Sequence, residues 1–369
     1  MNYTEYIEML DRNLKANTVI NEKKYTFYDI RKHDEFDIYG LVDPKNTSEF
    51  HRVPLDVCDK LGAGMQYFGR NTAGGRVRFS TNSNSVAIRV KMPEIHLRNM
   101  NYAGSAGFDL YIDGQKESKF YKVFIPPFDF KDTWQGLIEL PGGRKQRNIT
   151  IYFPLYNLVE KVEIGLQNSA SLGHGKEYTI KKPIVFYGGS HVQGASAGKP
   201  GNATSHFVSR YFDADFVNLG FSGNAHGEQE MAEFIGSIDA SMLIMEYDHN
   251  APNADFLRRT HYPFYKKIRE LHPDMPIIMT SKHDYYICSY YVKSQKENVE
   301  RRKVVLETYE KAIAEGDKNV YFIDGKDLLK GKYPNREDCT MDGVHPNDLG
   351  FFRMAQKFIN FIKKNNLLK

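Results

Sequence analysis

Hydrophobic and polar positions alternate in short runs through the first half of the chain. From about Tyr25 to Leu172, turn-forming residues such as the Pro-Gly-Gly at 141–143 separate these runs. Successive side chains of a strand point to opposite faces, so this alternation indicates strands with one buried face. The clearest runs are GRVRFST (75–81), SVAIRVKM (85–92), GFDLYIDG (107–114), NITIYFPL (148–155) and VEKVEIGL (159–166). We predict an antiparallel β-sandwich or jelly roll, preceded by a helix over about residues 2–15.

The second half of the chain has a different pattern. Continuous apolar runs, which are typical of strands buried on both faces, alternate with segments of helical period. The runs are PIVFYGG, DFVNLGF, SMLIMEY, MPIIMTS and NVYFIDG, and the helical segments include EQEMAEFIGSI, ERRKVVLETYEKAIAEG and DLGFFRMAQKFINFIKK. This alternation predicts an α/β domain with a parallel sheet flanked by helices. The stretch at 172–182, rich in glycine and charge, marks the boundary, so we predict domains over 1–178 and 182–369.

Charge and cysteine content exclude several kinds of partner. The net charge is only +4 and basic residues are interleaved with acidic ones, so we expect no binding to nucleic acid. Cys58, Cys288 and Cys339 are odd in number and lack CxxC spacing, which argues against a disulfide framework and against a zinc site. The sequence shows neither a signal-peptide pattern nor an apolar run of transmembrane length. We therefore expect a cytoplasmic protein without a membrane partner, and no pattern in the sequence indicates an oligomeric state.

A serine follows the first predicted strand of the second half. The run at 184–187 ends at two glycines, and Ser190 comes next. Ligands of open α/β sheets bind beyond the carboxyl ends of the strands, and the glycines allow a tight turn there. A phosphate-binding loop does not fit, because Gly198-Lys199 is followed by proline. Ser190 is therefore a candidate nucleophile, and a helix cap is the alternative role for it.

The motif DGVHP offers the two groups that would activate this serine. A serine hydroxyl is a poor nucleophile unless a base takes its proton and a third group orients that base. Asp342 lies three residues before His345, so the carboxylate and the imidazole can form a hydrogen bond within one short loop. We predict a catalytic triad in the chain order Ser190, Asp342, His345.

Acyl transfer also needs hydrogen-bond donors for the oxyanion of the tetrahedral intermediate. The backbone N–H of Ser190 is one candidate. Two later strand ends offer others, the Gly223 N–H in NLGFSGNAHGE and the Asn250 amide in MEYDHNAPN. Asn253 lies close to Asn250 in sequence and is an alternative donor.

These four segments, in this order, resemble the sequence blocks of the SGNH (GDSL-type) esterase and acylhydrolase family. The matches are Ser190 in GGSHVQG, Gly223 in GFSGN, Asn250 in YDHNAPN, and Asp342 with His345 in DGVHP. The resemblance covers about residues 181–360. It implies a three-layer flavodoxin-like fold and the roles of nucleophile, oxyanion donors, orienting acid and base for these residues.

The first half has its own resemblance, and the second half departs from the family pattern in three places. GFDLY (107–111) resembles the GxDLY segment of a β-sandwich domain that precedes SGNH domains in one subgroup. Many proteins of that subgroup are thought to remove acetyl groups from carbohydrates. The family's Gly-Asp-Ser is Gly-Gly-Ser here, and His191 replaces a common aliphatic residue. The asparagine block reads Asp-His-Asn at 248–250 instead of Gly-x-Asn-Asp.

Other polar and aromatic residues are weaker candidates for the site. The histidines at 191, 226, 249 and 283 lack HExxH or close HxH spacing, so we predict surface or hydrogen-bonding histidines and no metal site. His191 and His249 are candidates for lining an acyl or sugar pocket. Trp134 lies in the polar segment FKDTWQG, which predicts a loop, and it is a candidate for stacking on a sugar.

The motifs and the resemblance together predict a serine esterase that hydrolyses small acyl esters, above all acetyl esters of carbohydrates. The expected partner is a small-molecule or oligosaccharide ester, and no metal or organic cofactor is expected. Two alternatives remain open, which are an acyltransferase of the same fold and a carbohydrate-binding protein whose hydrolase domain is inactive.

Overall fold

Two antiparallel sheets form the first part of the protein. The structure is a computed structural model, and it describes the chain except residues 1–2, 12–13, 16–17, 116, 284–291 and 369. The helices of this part are α1 (Tyr3–Leu10), α2 (Leu55–Leu61), α3 (Ala63–Phe68) and α4 (Tyr102–Ala106). The strands are β1 (Tyr25–Asp29), β2 (Asp37–Tyr39), β3 (Arg76–Thr81), β4 (Ser85–Lys91), β5 (Phe108–Asp113), β6 (Ser118–Phe124), β7 (Thr133–Glu139), β8 (Arg147–Tyr152), β9 (Lys161–Gln167) and β10 (Leu172–His174).

The two sheets face each other across a hydrophobic core. One sheet has the strand order β1-β9-β4-β7, and the other has β10-β3-β8-β5-β6 with β2 paired to β3. Buried side chains of both sheets, such as Val77, Ile88 and Ile149, fill the space between them. The predicted antiparallel sandwich is therefore confirmed, and each of the five predicted strands is present with slightly different ends. The helix predicted over about residues 2–15 is present but shorter, and α1 ends at Leu10.

Trp134 does not lie where the sequence predicted it. The indole was expected on an exposed loop, but Trp134 belongs to β7 and only 4% of its surface is exposed. Its ring packs against Phe108 in the sandwich core, with a centroid distance of 6.0 Å. Burial alternates along β7, and Trp134, Gly136 and Ile138 are its buried positions. A side chain inside the core cannot stack on a sugar, so the predicted role in substrate binding is wrong.

A parallel sheet between helices forms the second part. Its strands are β11 (Ile180–Gly188), β12 (Ala214–Gly220), β13 (Met242–Glu246), β14 (Ile277–Thr280) and β15 (Val320–Ile323). Its helices are α5 (Ser190–Gln193), α6 (Thr204–Phe212), α7 (Gln229–Ser237), α8 (Ala254–Leu271), α9 (Val292–Ala314) and α10 (Asp348–Lys364). The strand order is β12-β11-β13-β14-β15, which is the flavodoxin-like order, and the predicted fold class is confirmed.

The central parallel strands have continuous apolar runs, at 184–187, 242–245 and 277–279, as expected for a sheet covered by helices on both faces. Along β11, Val185 and Tyr187 pack into one core, whereas Ile184 and Phe186 pack into the other. Helix α8 has no counterpart among the predicted helices. Within the described part of the chain, no helix has the length and apolar character needed to span a membrane.

Buried arginines of the sandwich bind the second domain directly. The fully buried Arg76 forms an ion pair with Asp215 and donates to the Phe216 carbonyl oxygen at 3.0 Å. The guanidinium of Arg52, 1% exposed, donates to the carbonyl oxygens of Asn218 and Gly220, both at 2.8 Å. Gly220 is the last residue of β12, so the sandwich packs against the end of the sheet at which the predicted site residues lie.

Candidate active site

Ser190 lies at the carboxyl edge of the parallel sheet. Strand β11 ends at Gly188, which pairs with Gly220 on one side and Glu246 on the other. A Cβ atom at position 188 would lie 2.1 Å from the Glu246 carbonyl oxygen, so only glycine fits this crowded strand end. Ser190 is the first residue of α5, and 6% of its surface is exposed. The sequence therefore places this hydroxyl at the carboxyl edge of the sheet, where α/β proteins bind ligands.

Asp342 and His345 form the hydrogen-bonded pair that the spacing predicted. The Asp342 Oδ2 atom lies 2.8 Å from His345 Nδ1, and Oδ1 accepts from the backbone N–H of His345 at 2.8 Å. Burial acts to raise the pKa of Asp342, but the hydrogen bonds from His345 outweigh it, and this pKa lies below its usual value. The carboxylate is therefore ionised at neutral pH and holds the imidazole with Nε2 facing away from it.

The loop that carries His345 lies beside the residue that follows Ser190. The rings of His191 and His345 meet edge to face with a centroid distance of 5.8 Å. The carbonyl oxygen of Val344, next to His345, lies 3.0 Å from His283 Nε2. The fold thus brings positions 190 and 345, separated by more than 150 residues, to one edge of the sheet.

The Asn250 amide lies directly against the turn before Ser190. A Cβ atom at Gly189 would be 2.5 Å from Asn250 Oδ1, so the glycine at this position makes room for the amide. The Asn250 Nδ2 group donates to the Phe221 carbonyl oxygen at 3.0 Å, which leaves its second N–H for another acceptor. The Asn253 side chain instead caps α8 by accepting from the Phe256 N–H at 2.8 Å. Of the two asparagines, Asn250 is therefore the one placed beside Ser190.

Gly223 lies in the turn after β12 and has a left-handed backbone with φ of +69°. A side chain there would meet no atom within 4 Å, so the requirement for glycine is conformational rather than steric. His226, three residues on, interacts with the main chain of Gly223 and Asn250. Its hydrogen bond with Glu228 raises the pKa of His226 above the usual value. The Gly223 turn and the Asn250 loop therefore lie side by side.

Gln193 and Arg301 hold these loops in place, and no sequence motif pointed to either residue. The fully buried Gln193 accepts from the Ser222 N–H at 2.9 Å and donates to the Leu155 carbonyl oxygen at 3.1 Å. It therefore ties α5, the turn of Gly223 and the sandwich domain together. Arg301 of α9 donates to the carbonyl oxygens of Asp248 and Ala251, on both sides of Asn250. From the sequence alone, long polar side chains of this kind are expected to face solvent. Only the fold shows that they are buried.

A cluster of buried ionisable side chains lies next to Ser190. His191 stacks on His249 with a centroid distance of 4.3 Å and lies 4.4 Å from the ring of His283. Burial lowers the pKa of His191 well below its usual value and lowers that of His283 to about 3. Burial also raises the pKa of the Glu246 carboxyl well above its usual value. The protein interior thus disfavours the charged forms of these groups.

The burial of this cluster changes the role expected for its histidines. His191 has no exposed surface, so it cannot line a pocket that is open to substrate, contrary to the prediction. The side chain of His249 is 8% exposed and remains close to the surface. Among the residues that the structure describes, His191, Glu246 and His283 form the one group whose ligand atoms are close enough together to hold a metal ion.

Comparison with known proteins assigns the family. Residues 181–363 match the GDSL-like lipase/acylhydrolase family, and residues 25–172 match the GxDLY domain found at the N-terminus of SGNH-hydrolase-type esterases. The second domain belongs to the GDSL-like lipase/acylhydrolase family, and the first is a GxDLY domain. The two matched segments correspond to the parallel-sheet domain and the sandwich of this GDSL-like protein. Among proteins with curated descriptions, none matches the chain significantly.

Solved structures share both domains of this GDSL-like protein. A protein from Bacteroides ovatus ATCC 8483, described as a GDSL-like lipase, has 29% identity and a TM-score of 0.85, and the match covers 94% of this chain and 99% of that one. The salicylyl-acyltransferase SsfX3 of a tetracycline biosynthetic pathway has 17% identity, a TM-score of 0.76 and coverage of 93% and 98%. The acetyl xylan esterase Est2A from the rumen bacterium Butyrivibrio proteoclasticus has 14% identity, a TM-score of 0.61 and coverage of 94% and 100%. The last two likenesses show the fold alone, and the family and fold together support esterase activity in the broad sense.

Proposed function

We propose that this protein is a serine esterase that hydrolyses small acyl esters, with acetyl esters of carbohydrates as the substrate class. The observation that carries the proposal is the Asp342–His345 pair, bonded at 2.8 Å and placed beside the residue after Ser190. A nucleophile, a base and an orienting acid at one sheet edge are the parts that acyl transfer requires.

The proposed cycle has two steps. The His345 imidazole takes the proton of the Ser190 hydroxyl while the oxygen attacks the ester carbonyl carbon. The intermediate collapses, the C–O bond to the sugar breaks, and His345 returns the proton to the departing alcohol. Water then attacks the acyl-serine, with His345 again as base. The bond between the acyl carbon and the Ser190 oxygen breaks, His345 returns the proton to that oxygen, and the carboxylic acid is released. The ionised Asp342 stabilises the imidazolium that forms in each step.

The oxyanion donors in this proposal are the N–H groups of Ser190 and Gly223 and the free N–H of the Asn250 amide. Replacing Asn250 with alanine should lower kcat by about 10²- to 10³-fold, because one preorganised donor is typically worth about 3 kcal/mol of barrier. The measurement is the steady-state hydrolysis of a small chromogenic acetate ester. Asn253→Ala is the matched control. It removes the α8 cap and should lower stability by about 1 kcal/mol while leaving kcat unchanged. Equal losses of kcat in both variants would contradict the assignment.

Two features support a carbohydrate as the alcohol part of the substrate. The acetyl xylan esterase Est2A and a family two carbohydrate esterase from Cellvibrio japonicus have a similar fold over most of this chain. In addition, the rings of His96, Tyr102 and Phe128 form a stack on the sandwich, with centroid distances of 4.9 and 5.1 Å between neighbours. Phe128 is 63% exposed, and exposed aromatic rings are suited to packing on the apolar face of a sugar.

This aromatic stack borders the loop that follows Ser190. Ser196 donates from Oγ to the Asn99 carbonyl oxygen at 2.8 Å, and Gly104 lies against the carbonyl oxygen of Ala197. In this proposal the stack takes the place of Trp134 as the aromatic surface that binds the sugar. The cytoplasmic location stays a prediction.

The deciding experiment is acetate release by the purified protein from a panel of acetylated xylo- and cello-oligosaccharides, with the product positions read by NMR. A chromogenic acetate ester reports general activity in parallel. Folded protein, verified by circular dichroism, that releases acetate from none of these esters would refute the proposal. It would then favour a carbohydrate-binding role.

An acyltransferase is the second candidate, because the acyltransferase SsfX3 superposes with a TM-score of 0.76 over 93% of this chain. The same assay with an excess of unacetylated sugar separates the two activities. A hydrolase forms free acetate at an unchanged rate, whereas a transferase forms a new sugar ester at the expense of acetate.

A further inference from the structure

Three buried side chains from three strand ends converge beneath Ser190. His191 follows β11, Glu246 is the last residue of β13, and His283 follows β14. Their exposed surface fractions are 0%, 2% and 0%. One ligand atom of each residue lies within 4.8 Å of the other two, and His191 Nδ1 is 3.5 Å from Glu246 Oε1. Ligand atoms around a tetrahedral Zn²⁺ ion lie about 3.4 Å apart, so this spacing suits a shared ion after small side-chain shifts.

The hydrogen bonding of the cluster is incomplete. Both ring nitrogens of His191 and the Oε1 atom of Glu246 are buried, and within the part of the chain that the structure describes they form no hydrogen bond. Buried polar atoms are nearly always paired with protein, water or an ion, because leaving them without a partner costs free energy. A further group that is not part of these side chains therefore fits between them.

The contact between His283 and Val344 indicates which kind of group this is. The Nε2 atom of His283 lies 3.0 Å from the Val344 carbonyl oxygen. A carbonyl oxygen only accepts, so Nε2 carries the hydrogen, and the lone pair of this imidazole is on Nδ1. Imidazoles that bind metals are oriented in this way, with the other ring nitrogen donating to a carbonyl or carboxylate.

We propose that His191, Glu246 and His283 bind a divalent transition-metal ion, with Zn²⁺ as the best match to two imidazoles and one carboxylate. A water molecule or the nearby His249 completes the coordination. This replaces the sequence-based expectation of no metal, which rested on spacing along the chain. The ligands come from positions too distant in sequence for any short motif to show them.

The location of the ion indicates a positioning role. The bound ion would cross-link the ends of β11, β13 and β14, with His191 of α5 as one of its ligands. The bond from His283 to Val344 would extend this cross-link to the loop of Asp342 and His345. Because all three ligands are buried, the ion is not accessible to a substrate from solvent. The inference does not depend on the proposed esterase function, because it concerns binding of a metal and not turnover.

The test uses full-length protein without a histidine tag, unfolded in chelator and refolded with Zn²⁺ or Co²⁺, because all three ligands are buried. After removal of free metal, we expect one ion per chain by elemental analysis. The Co²⁺ form should show the intense visible d–d bands of four-coordinate cobalt, and both forms should unfold at a higher temperature than protein refolded in chelator.

Glu246→Gln keeps the shape of the side chain and removes the anionic ligand, and His191→Asn removes an imidazole. Each should weaken Zn²⁺ binding at least about 100-fold, as expected for loss of a ligand. Glu228→Gln is the matched control, because Glu228 also faces a histidine, His226, at 3.5 Å but has no third ligand among the described residues. It should bind Zn²⁺ as the wild type does. The inference is overturned if the wild-type protein retains no ion. Binding of Zn²⁺ by both Glu246→Gln and His191→Asn with wild-type affinity would also overturn the inference.

Discussion

Replacing Ser190 with alanine is expected to lower kcat for a small acetate ester by about 10³- to 10⁶-fold, with little change in KM. The substitution removes the attacking oxygen and leaves the backbone N–H that binds the oxyanion. The side chain forms no cap of α5, since the residue before that helix is Gly189, so the free energy of unfolding should hardly change. The measurement is steady-state kinetics together with a urea unfolding curve.

The control for Ser190→Ala is another buried serine of the same domain. Ser209 lies on α6 and donates from Oγ to the Ala214 carbonyl oxygen at 2.6 Å, at the opposite end of β12 from the site. Ser209→Ala should cost about 1 kcal/mol of stability and leave kcat unchanged. The double variant Ser190→Ala/His345→Ala should be no slower than Ser190→Ala, because the members of a triad act as one unit. Substantial residual turnover by Ser190→Ala would mean that another residue is the nucleophile.

Replacing Arg76 with methionine is expected to destabilise the sandwich domain by about 3 to 5 kcal/mol. The fully buried guanidinium pairs with Asp215 across the domain interface and donates to Tyr178 Oη at 2.7 Å and the Phe216 carbonyl oxygen at 3.0 Å. Methionine fills similar volume but leaves a largely buried carboxylate and several acceptors without a donor. Fluorescence of Trp134, the only tryptophan, reports unfolding of the sandwich core in urea.

Arg89→Met is the matched control for this prediction. Arg89 lies in the same domain, on β4, and its 29% exposed side chain pairs with Glu22 and Glu163. A partly exposed pair of this kind contributes about 0 to 1 kcal/mol, so the urea midpoint should shift little. In the double variant Arg76→Met/Asp215→Asn, removal of the isolated carboxylate should restore part of the lost stability. Equal destabilisation by the Arg76 and Arg89 substitutions would mean that the domain interface contributes little.

The sequence patterns that predicted the structure best were local ones. Alternation of hydrophobic and polar residues marked β3, β4 and β5 as strands, although many of their polar positions are buried as well. Continuous apolar runs marked the parallel strands. The hydrogen bond between Asp342 and His345 was predictable because three residues of one loop separate the two side chains. Alternation was also present around Trp134, but the polar residues before it made the segment look like a loop.

Residues that join distant segments could not be identified in this way. Arg52, Arg76 and Gln193 each occur in stretches where a charged or polar side chain would normally face water. Arg52 and Arg76 are buried because the second domain covers them and supplies carbonyl and carboxylate partners. Gln193 of the second domain is buried in the opposite sense, since the sandwich supplies its partners Asn71 and Leu155. The choice between Asn250 and Asn253 also required the fold, since it depends on which side chain lies over Gly189 and which caps α8.

The amino-acid sequence by itself determined the two kinds of sheet, the order of the strands along the chain, and the strand ends that carry reactive groups. These properties follow from periodicity and turn chemistry, which act over a few residues. The tertiary structure decided which of those ends lie next to one another, and with that the surroundings of Ser190. It also decided the burial of Trp134 and the convergence of His191, Glu246 and His283. Burial and charge pairing depend on contacts between segments far apart in the chain, and no local pattern encodes them.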